Sequence, residues 1–350
     1  MKGNSRIGAE KGAGKMESDP SRHTDSTAAD DLAATEGQTP FPRPLFPPQS
    51  AVRNRIDRLG ELFISAVAFV VIAIIFLIFV YVAREAAPLA WRTIDGISIW
   101  SPFQTPYTWQ PVGGVPKFNI LPLIVGTLKV TLIAMLLATP LALAAALYTA
   151  EFAPPSLREW IKPAVEVLAG IPSVVIGFFV LIVLASWLQD AFGFQFRLNA
   201  LSAGIGLAFA VIPLIYTVSE DALTSVPKLY REASLALGAS KPQTAIRVVL
   251  PAASPGIFAA LVLGFGRAIG ETMIVLLASG NASMLSLSPF LPVRTLSATI
   301  ASELGEVVFG GGHYRVLFLI GVVLFLITSL LNSIGARYNR RLRQRLSGTA

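Results

Sequence analysis

Six apolar runs, each long enough to cross a hydrocarbon core, dominate the chain: 62–83, 120–149, 161–187, 203–224, 253–279 and 315–335. A core of ~30 Å takes ~20 helical residues. Charged or turn residues bracket every run. Pro140 and Pro172 interrupt the second and third runs and Pro213 the fourth. Proline is tolerated in membrane helices whose neighbours re-satisfy the freed carbonyls, so kinks in a packed bundle are expected there. The fold class predicted is an all-α membrane protein with six transmembrane helices.

Only 14% of the residues are charged, against about 25% in a soluble domain, so lipid is the main solvent. There is no cysteine and there are two histidines, His23 and His313, without partners at ligand spacing. A disulfide framework, a thiolate site and a cysteine nucleophile are excluded, and no catalytic metal is expected. Residues 1–55 are read as a disordered tail: they are polar, end Pro-rich at 39–48, and offer too little apolar surface to offset ordering entropy. Within them, Gly12-Ala13-Gly14-Lys15 resembles a phosphate-binding loop but fails its spacing. Ala9 stands where the first glycine belongs, and Met16 replaces Ser/Thr. ATP binding by this chain is therefore not expected. The run beginning near Leu62 is too long for a signal-peptide core and should stay as the first span. The domains predicted are thus a tail over 1–55, a membrane domain over 56–340 and a basic tail over 341–350.

With the N-terminus placed in the cytoplasm, twenty Lys and Arg fall on the inner side and six on the outer. The C-terminal five (Arg337, Arg340, Arg341, Arg343 and Arg345) and three before the first span (Arg53, Arg55 and Arg58) are all inside. Both termini are expected to be cytoplasmic by the positive-inside rule. The net charge of +7 is then mostly topology, not a nucleic-acid surface.

Between the fourth and fifth runs, Leu229, Glu232, Ala233, Ala236 and Leu237 recur at helical spacing. Gly238 should end this short helix, Ala239-Ser240 should turn, and a second stretch from Thr244 to Leu250 should stop at Pro251. Such a helix and turn form a surface that a partner can grip. Glu232-Ala233-Ser234, three residues, Gly238, nine residues, then Val248-Val249-Leu250-Pro251 resembles the "EAA" loop of ABC importer permeases, with Ser234 and Val248 as small departures. The resemblance covers roughly residues 60–340 and implies a type I ABC importer permease (MetI-like) fold. It also implies a coupling helix seated on a separate ATPase, with Arg231, Glu232, Ala233, Gly238, Leu250 and Pro251 in the coupling loop. ATP and Mg would then sit on that ATPase, and no cofactor on this chain.

The fifth run carries charge: Gly264-Phe265-Gly266-Arg267-Ala268-Ile269-Gly270-Glu271-Thr272. Arg267 lies near mid-membrane, where an ionisable group is a functional candidate. Glu271 follows four positions later, on the same helix face and within pairing reach. Either the two neutralise each other and staple the bundle, or with Thr272 they line a translocation path. In the second case the guanidinium would hold an oxyanion. The glycines at 264, 266 and 270 would let a helix or ligand approach. Lys129 sits toward an outer end and is expected to snorkel. The loop 279–314, with three glycines at 310–312, is either a docking surface or a flexible connection.

Residues 266–273 with Gly280-Asn281 are similar to the phosphate (Pst) permeases, of the PstC type rather than PstA. Glu303-Leu304-Gly305-Glu306, His313-Tyr314 and Gly170-Ile171-Pro172-Ser173-Val174 share that similarity. It implies phosphate as cargo and four kinds of partner: membrane lipid, a PstA-like permease, two PstB-like ATPase subunits and an external PstS-like phosphate-binding protein. A permease for sulfate or molybdate is the alternative within the class. A six-helix receptor would need a signalling domain, and a membrane hydrolase paired carboxylates or a His-based site within the bilayer, where only the Arg267–Glu271 pair is found. A stand-alone carrier would leave the coupling loop without purpose.

Overall fold

The computed structural model describes residues 51–113 and 115–346. The tail through residue 50, with its glycine-lysine stretch, lies outside them. Two compact units are distinguished, divided between Phe69 and Val70. In the first, the described residues are helical, and from Arg58 their side chains are exposed. Helix α1 (Ala51–Ala86) continues into the second unit, which holds all later elements.

After a one-turn α2 (Pro88–Trp91), a small antiparallel hairpin pairs β1 (Trp109–Gln110) with β2 (Lys117–Phe118), Trp109 opposite Phe118. Then come α3 (Leu121–Glu151) and α4 (Pro155–Gly170). Next, α5 (Ser173–Phe179) runs through a π turn, Val180–Leu184, into α6 (Ala185–Phe192). Helix α7 (Ala200–Thr224) precedes the short α8 (Lys228–Ala236). A second π turn, Ala245–Val249, joins α9 (Lys241–Thr244) to α10 (Leu250–Gly270). The chain ends with α11 (Met273–Ala278), α12 (Leu296–Glu303) and α13 (Gly312–Leu346). Six helical stretches are long and apolar enough to cross a membrane: Arg58–Trp91, Leu121–Glu151, Ser173–Phe192, Ala200–Thr224, Lys241–Gly270 and Gly312–Leu342.

Two of these differ from the apolar runs in an informative way. The run 161–187 is not one helix: the chain breaks at Ile171, which is extended (ψ 124°). A residue before proline is pushed out of the α region, and Gly170 favours the stop. Pro172 thus divides an amphipathic helix, α4, from the span proper. The run 253–279 also breaks, because Glu271 leaves the helix with ψ 132°. Pro140, Pro213 and Pro255, by contrast, lie inside continuous helices. The carbonyl of Pro251, freed by Pro255, accepts from Ser254 Oγ at 2.7 Å.

The core is built on small residues. Ala134, Ala138, Ala142 and Ala146 are fully buried at four-residue spacing along α3, a stripe that lets backbones approach closely. Gly204 of α7 lies so near Ile133 that an added Cβ would stand 2.4 Å from its Cγ2. Helix α10 reaches α7 through Gly256 on Ala222 and Gly264 on Ile215, and Gly335 of α13 meets Val262. These contacts make α7, with 61% of its apolar window buried, the central helix.

Candidate functional site

At one end of the bundle α8 stands almost free. Its apolar residues Leu229, Tyr230 and Leu237 are exposed, as are Glu232, Ala233 and Gly238. The helix ends as a Schellman turn. Gly238 N–H donates to Leu235 O at 2.9 Å, Ala239 N–H donates to Ser234 O at 3.2 Å, and Gly238 has φ +84°. That positive angle is why glycine stands there. A capping box of Ser240 and Gln243 starts α9. Ser234 Oγ meets Thr244 Oγ1 at 2.9 Å, tying the two limbs of the loop together. The second limb begins at Lys241, three residues earlier than its sequence suggested. It does not stop at Pro251, which sits in the first turn of α10, where a missing N–H is tolerated.

Arg231 faces inward instead of outward. Its guanidinium pairs with Glu151 at the end of α3 (2.7 Å) and donates to the carbonyl oxygens of Leu223 (2.8 Å) and Val226. It therefore staples α8 to the spans, while Glu232, Ala233 and Gly238 remain on the free surface. Leu250 is half-buried and Pro251 exposed.

The arginine-bearing span holds the second group of candidates. Because α10 ends at Gly270, Glu271 is not one helical turn above Arg267, and the expected ion pair does not form. Tertiary contacts explain the break: Ser297 Oγ at the start of α12 donates to Glu271 O (2.9 Å), and Thr272 N–H turns back onto Glu271 Oε1 (3.2 Å). Thr272 Oγ1 donates to Gly270 O at 3.3 Å. Arg267 is exposed and, among the described residues, has no ion pair or hydrogen bond. The three glycines do not share one open face. Gly264 packs on Ile215 and Gly266 looks toward Asn332 of α13, whereas Gly270 faces open space.

Gly170, at the other break, is likewise open. The segments following the two breaks pack closely: a Cβ on Gly177 of α5 would meet Leu277 at 2.8 Å and the Met273 carbonyl of α11 at 3.2 Å. The two breaks thus lie at the ends of membrane-length stretches, before Ser173 and after Gly270, and the second follows the unpaired Arg267 by three residues.

At the end of the bundle away from α8, Glu303 gathers a network. Its carboxylate accepts from Trp109 Nε1 (2.9 Å), pairs with Arg294 (2.7 Å) and meets His313 Nε2 (2.8 Å). Arg294 Nε also donates to Asn281 Oδ1 (3.0 Å). A cavity of about 540 Å³ opens over Glu303, Arg294 and His313. Burial pushes the Glu303 carboxyl up, but hydrogen bonds from His313 and Trp109 and the charge of Arg294 outweigh it, leaving the group below the ordinary value of 4.5. The stabilisation is therefore complete above pH 4.5 and disappears as pH falls through the lowered native value. Thermal unfolding followed from pH 7 downward should show this loss in the wild type. Glu303→Gln should start ~1–3 kcal/mol less stable and lose little more.

Lys129 does not snorkel. It is buried and donates to the carbonyl oxygens of Ser286 (3.0 Å) and Ser288 (2.9 Å), anchoring the loop after α11. The glycines at 310–312 are likewise ordered by contact: Gly312 N–H donates to Asp95 Oδ2 at 2.6 Å. Sequence reasoning also missed Glu220, fully buried on α7 and paired with Lys162 of α4 at 2.8 Å. The signal was present as a carboxylate four residues inside the end of a span.

The membrane bundle thus keeps a preshaped helix and turn outside its own packing, as a subunit that meets a partner at that end would. The chain belongs to the family described as binding-protein-dependent transport system inner membrane component, whose profile matches residues 138–347. It is 35% identical over 283 residues to the probable ABC transporter permease protein YqgH of Bacillus subtilis, covering 80% of this chain and 91% of that one. It is 36% identical over 255 residues to the phosphate transport system permease protein PstC of Mesorhizobium japonicum, covering 67% and 77%. Among solved structures it resembles a bacterial ABC transporter involved in import of the acidic polysaccharide alginate. The TM-score is 0.59 at 16% identity, over 83% of this chain and 99% of that one. The all-α, six-span ABC importer permease fold is thereby established, and the chain is a channel subunit rather than an enzyme.

Proposed function

We propose that this chain is one permease of an ATP-driven importer of inorganic phosphate, with Arg267, Glu271 and Thr272 on the translocation path. The observation that carries the reading is Arg267 itself: exposed on a span, without a partner among the described residues, beside a broken segment. A guanidinium left free in this way offers an oxyanion two parallel donors. Glu271 can accept a hydrogen bond from a protonated phosphate, which fully ionised sulfate cannot supply. A carboxylate on the same path also keeps the grip weak enough for release.

A second, PstA-like permease would complete the path across from Arg267. Two PstB-like ATPase subunits, carrying ATP and Mg, would each seat a coupling helix, here through Glu232, Ala233 and Gly238. A PstS-like binding protein would deliver phosphate at the end bearing α12. The excess of Lys and Arg at the α8 end supports a cytoplasmic side for both termini. The tails at 1–55 and 341–350 would then lie there too.

The test is uptake of radiolabelled phosphate into cells lacking this gene and any redundant carrier, with sulfate and molybdate as competitors. Restoration by the wild-type chain, insensitive to both competitors, supports the reading. Normal uptake without the gene overturns it, and competition by sulfate or molybdate reassigns the cargo.

A further inference from the structure

Beneath α4 the bundle groups four buried polar atoms without partners among the described residues. Thr149 Oγ1 on α3 and Tyr216 OH, Ser219 Oγ and Glu220 Oε1 on α7 are all buried and unpaired among the described residues. Tyr216, Ser219 and Glu220 stand at three- and four-residue spacing, so they share one side of α7. Thr149 belongs to the same level, since Arg158 and Lys162, one turn apart on α4, reach Thr149 O and Glu220, and Arg231 bonds both Glu151 of α3 and Leu223 of α7. Each such atom costs ~1–3 kcal/mol if nothing ever satisfies it. Four together call for water in at least one state of the molecule.

Helix α4 lies over this shelf on few attachments. Lys162 Nζ pairs with Glu220 Oε2 at 2.8 Å, and Arg158 donates to the carbonyl oxygens of Thr149 (3.1 Å) and Ala150 (2.9 Å). Ile161 and Val165 supply partly buried apolar contact. No residue of α4 is itself fully buried. Both ends are interrupted by proline, Pro154 before it and Pro172 after it, and Gly170 has open space around it. Its far side shows Trp160 and Val167, 79% and 71% exposed. The Glu220 hydrogen bond, then the charges of Glu220 and Asp221, raise the Lys162 ammonium above its ordinary value despite some desolvation. The lysine is thus charged across the physiological range.

We propose that α4 is a hinged cover over this polar shelf, latched by Lys162 and Glu220, and that it lifts in one half of the transport cycle to let water reach the shelf. The pair is a positioning element and does not touch the cargo. This inference rests on the importer reading above, because it assigns the two positions of α4 to the two states of an alternating-access cycle. It also connects the pair to the path: α4 leads directly into the Ile171–Pro172 break, so lifting the cover moves the base of α5.

The experiment uses the assembled complex in proteoliposomes. The chain has no cysteine, so Ser219→Cys gives it a single thiol in the shelf, and Thr149→Cys on α3 serves as a second probe should the first misassemble. A membrane-impermeant thiol reagent is applied without nucleotide and after trapping with ATP and vanadate, reading the mass of this chain. The expected result is modification at least ~10-fold faster in one state than in the other. Lys162→Met should make both states fast, and Lys162→Met with Glu220→Gln, which lacks the latch but leaves no unpaired charge, should stay fast. Equal rates in both states overturn the cover, and so does an unchanged contrast in Lys162→Met. Phosphate uptake by the same vesicles separates the two readings. Uptake with equal rates sinks the cover alone, whereas wild-type vesicles without uptake sink the importer assignment.

Discussion

Arg267→Ala should abolish phosphate uptake while leaving the complex assembled. The two halves of that expectation come from one fact: among the described residues the guanidinium has no hydrogen bond or ion pair. Removing it takes no hydrogen bond from the fold, so solubilised yield and ATPase association should match wild type. Losing a desolvated charge contact costs at least ~2 kcal/mol, a fall in transport of about thirtyfold or more. Arg267→Lys keeps the charge and loses the planar fork, and should recover part of the rate. Uptake by Arg267→Ala within twofold of wild type would remove this residue from the path. Loss of uptake together with loss of assembly would instead make it a staple to the partner permease.

Gly238→Val is the second large effect expected. No atom lies within 4 Å of a Cβ built there, so bulk inside this chain is not the issue; the φ of +84° is. A β-branched residue in left-handed backbone costs ~1–2 kcal/mol, enough to unmake the Schellman turn and swing the exposed Leu237 off its direction. Transport should fall about tenfold, with ATP hydrolysis no longer stimulated by phosphate-loaded binding protein. Gly238→Asn, which tolerates that backbone region, should retain most activity. Equal damage from both substitutions would show that the docked surface, not the backbone angle, excludes a side chain at this position.

Much of the architecture was readable because it is written locally. Run length gave the six spans, and helical spacing with a glycine gave α8 and its turn. Three of the failures involve partners distant in sequence. Arg231 looks like a surface residue until Glu151, eighty positions earlier, closes on it. Glu271 looks helical until the Ser297 hydroxyl, 26 positions later, claims its carbonyl. Lys129 looks interfacial until the loop carbonyls of Ser286 and Ser288 arrive above it. The break at Pro172 is a different case: its local signal was visible, but a continuous hydropathy run outvoted it.

The π turns have a bearing on how the gene tolerates change in length. A π turn holds one residue more than an α turn, and one residue gained or lost in an α-helix rotates everything beyond it by ~100°. A codon lost within α10 would swing Gly264 away from Ile215, closing the fit that small residues provide. A codon lost within Ala245–Val249 would only tighten the wide turn to an ordinary one, leaving Gly256 on Ala222. The joint between coupling loop and span is thus a slot for insertions and deletions, where the reading of the helix faces survives a change in count.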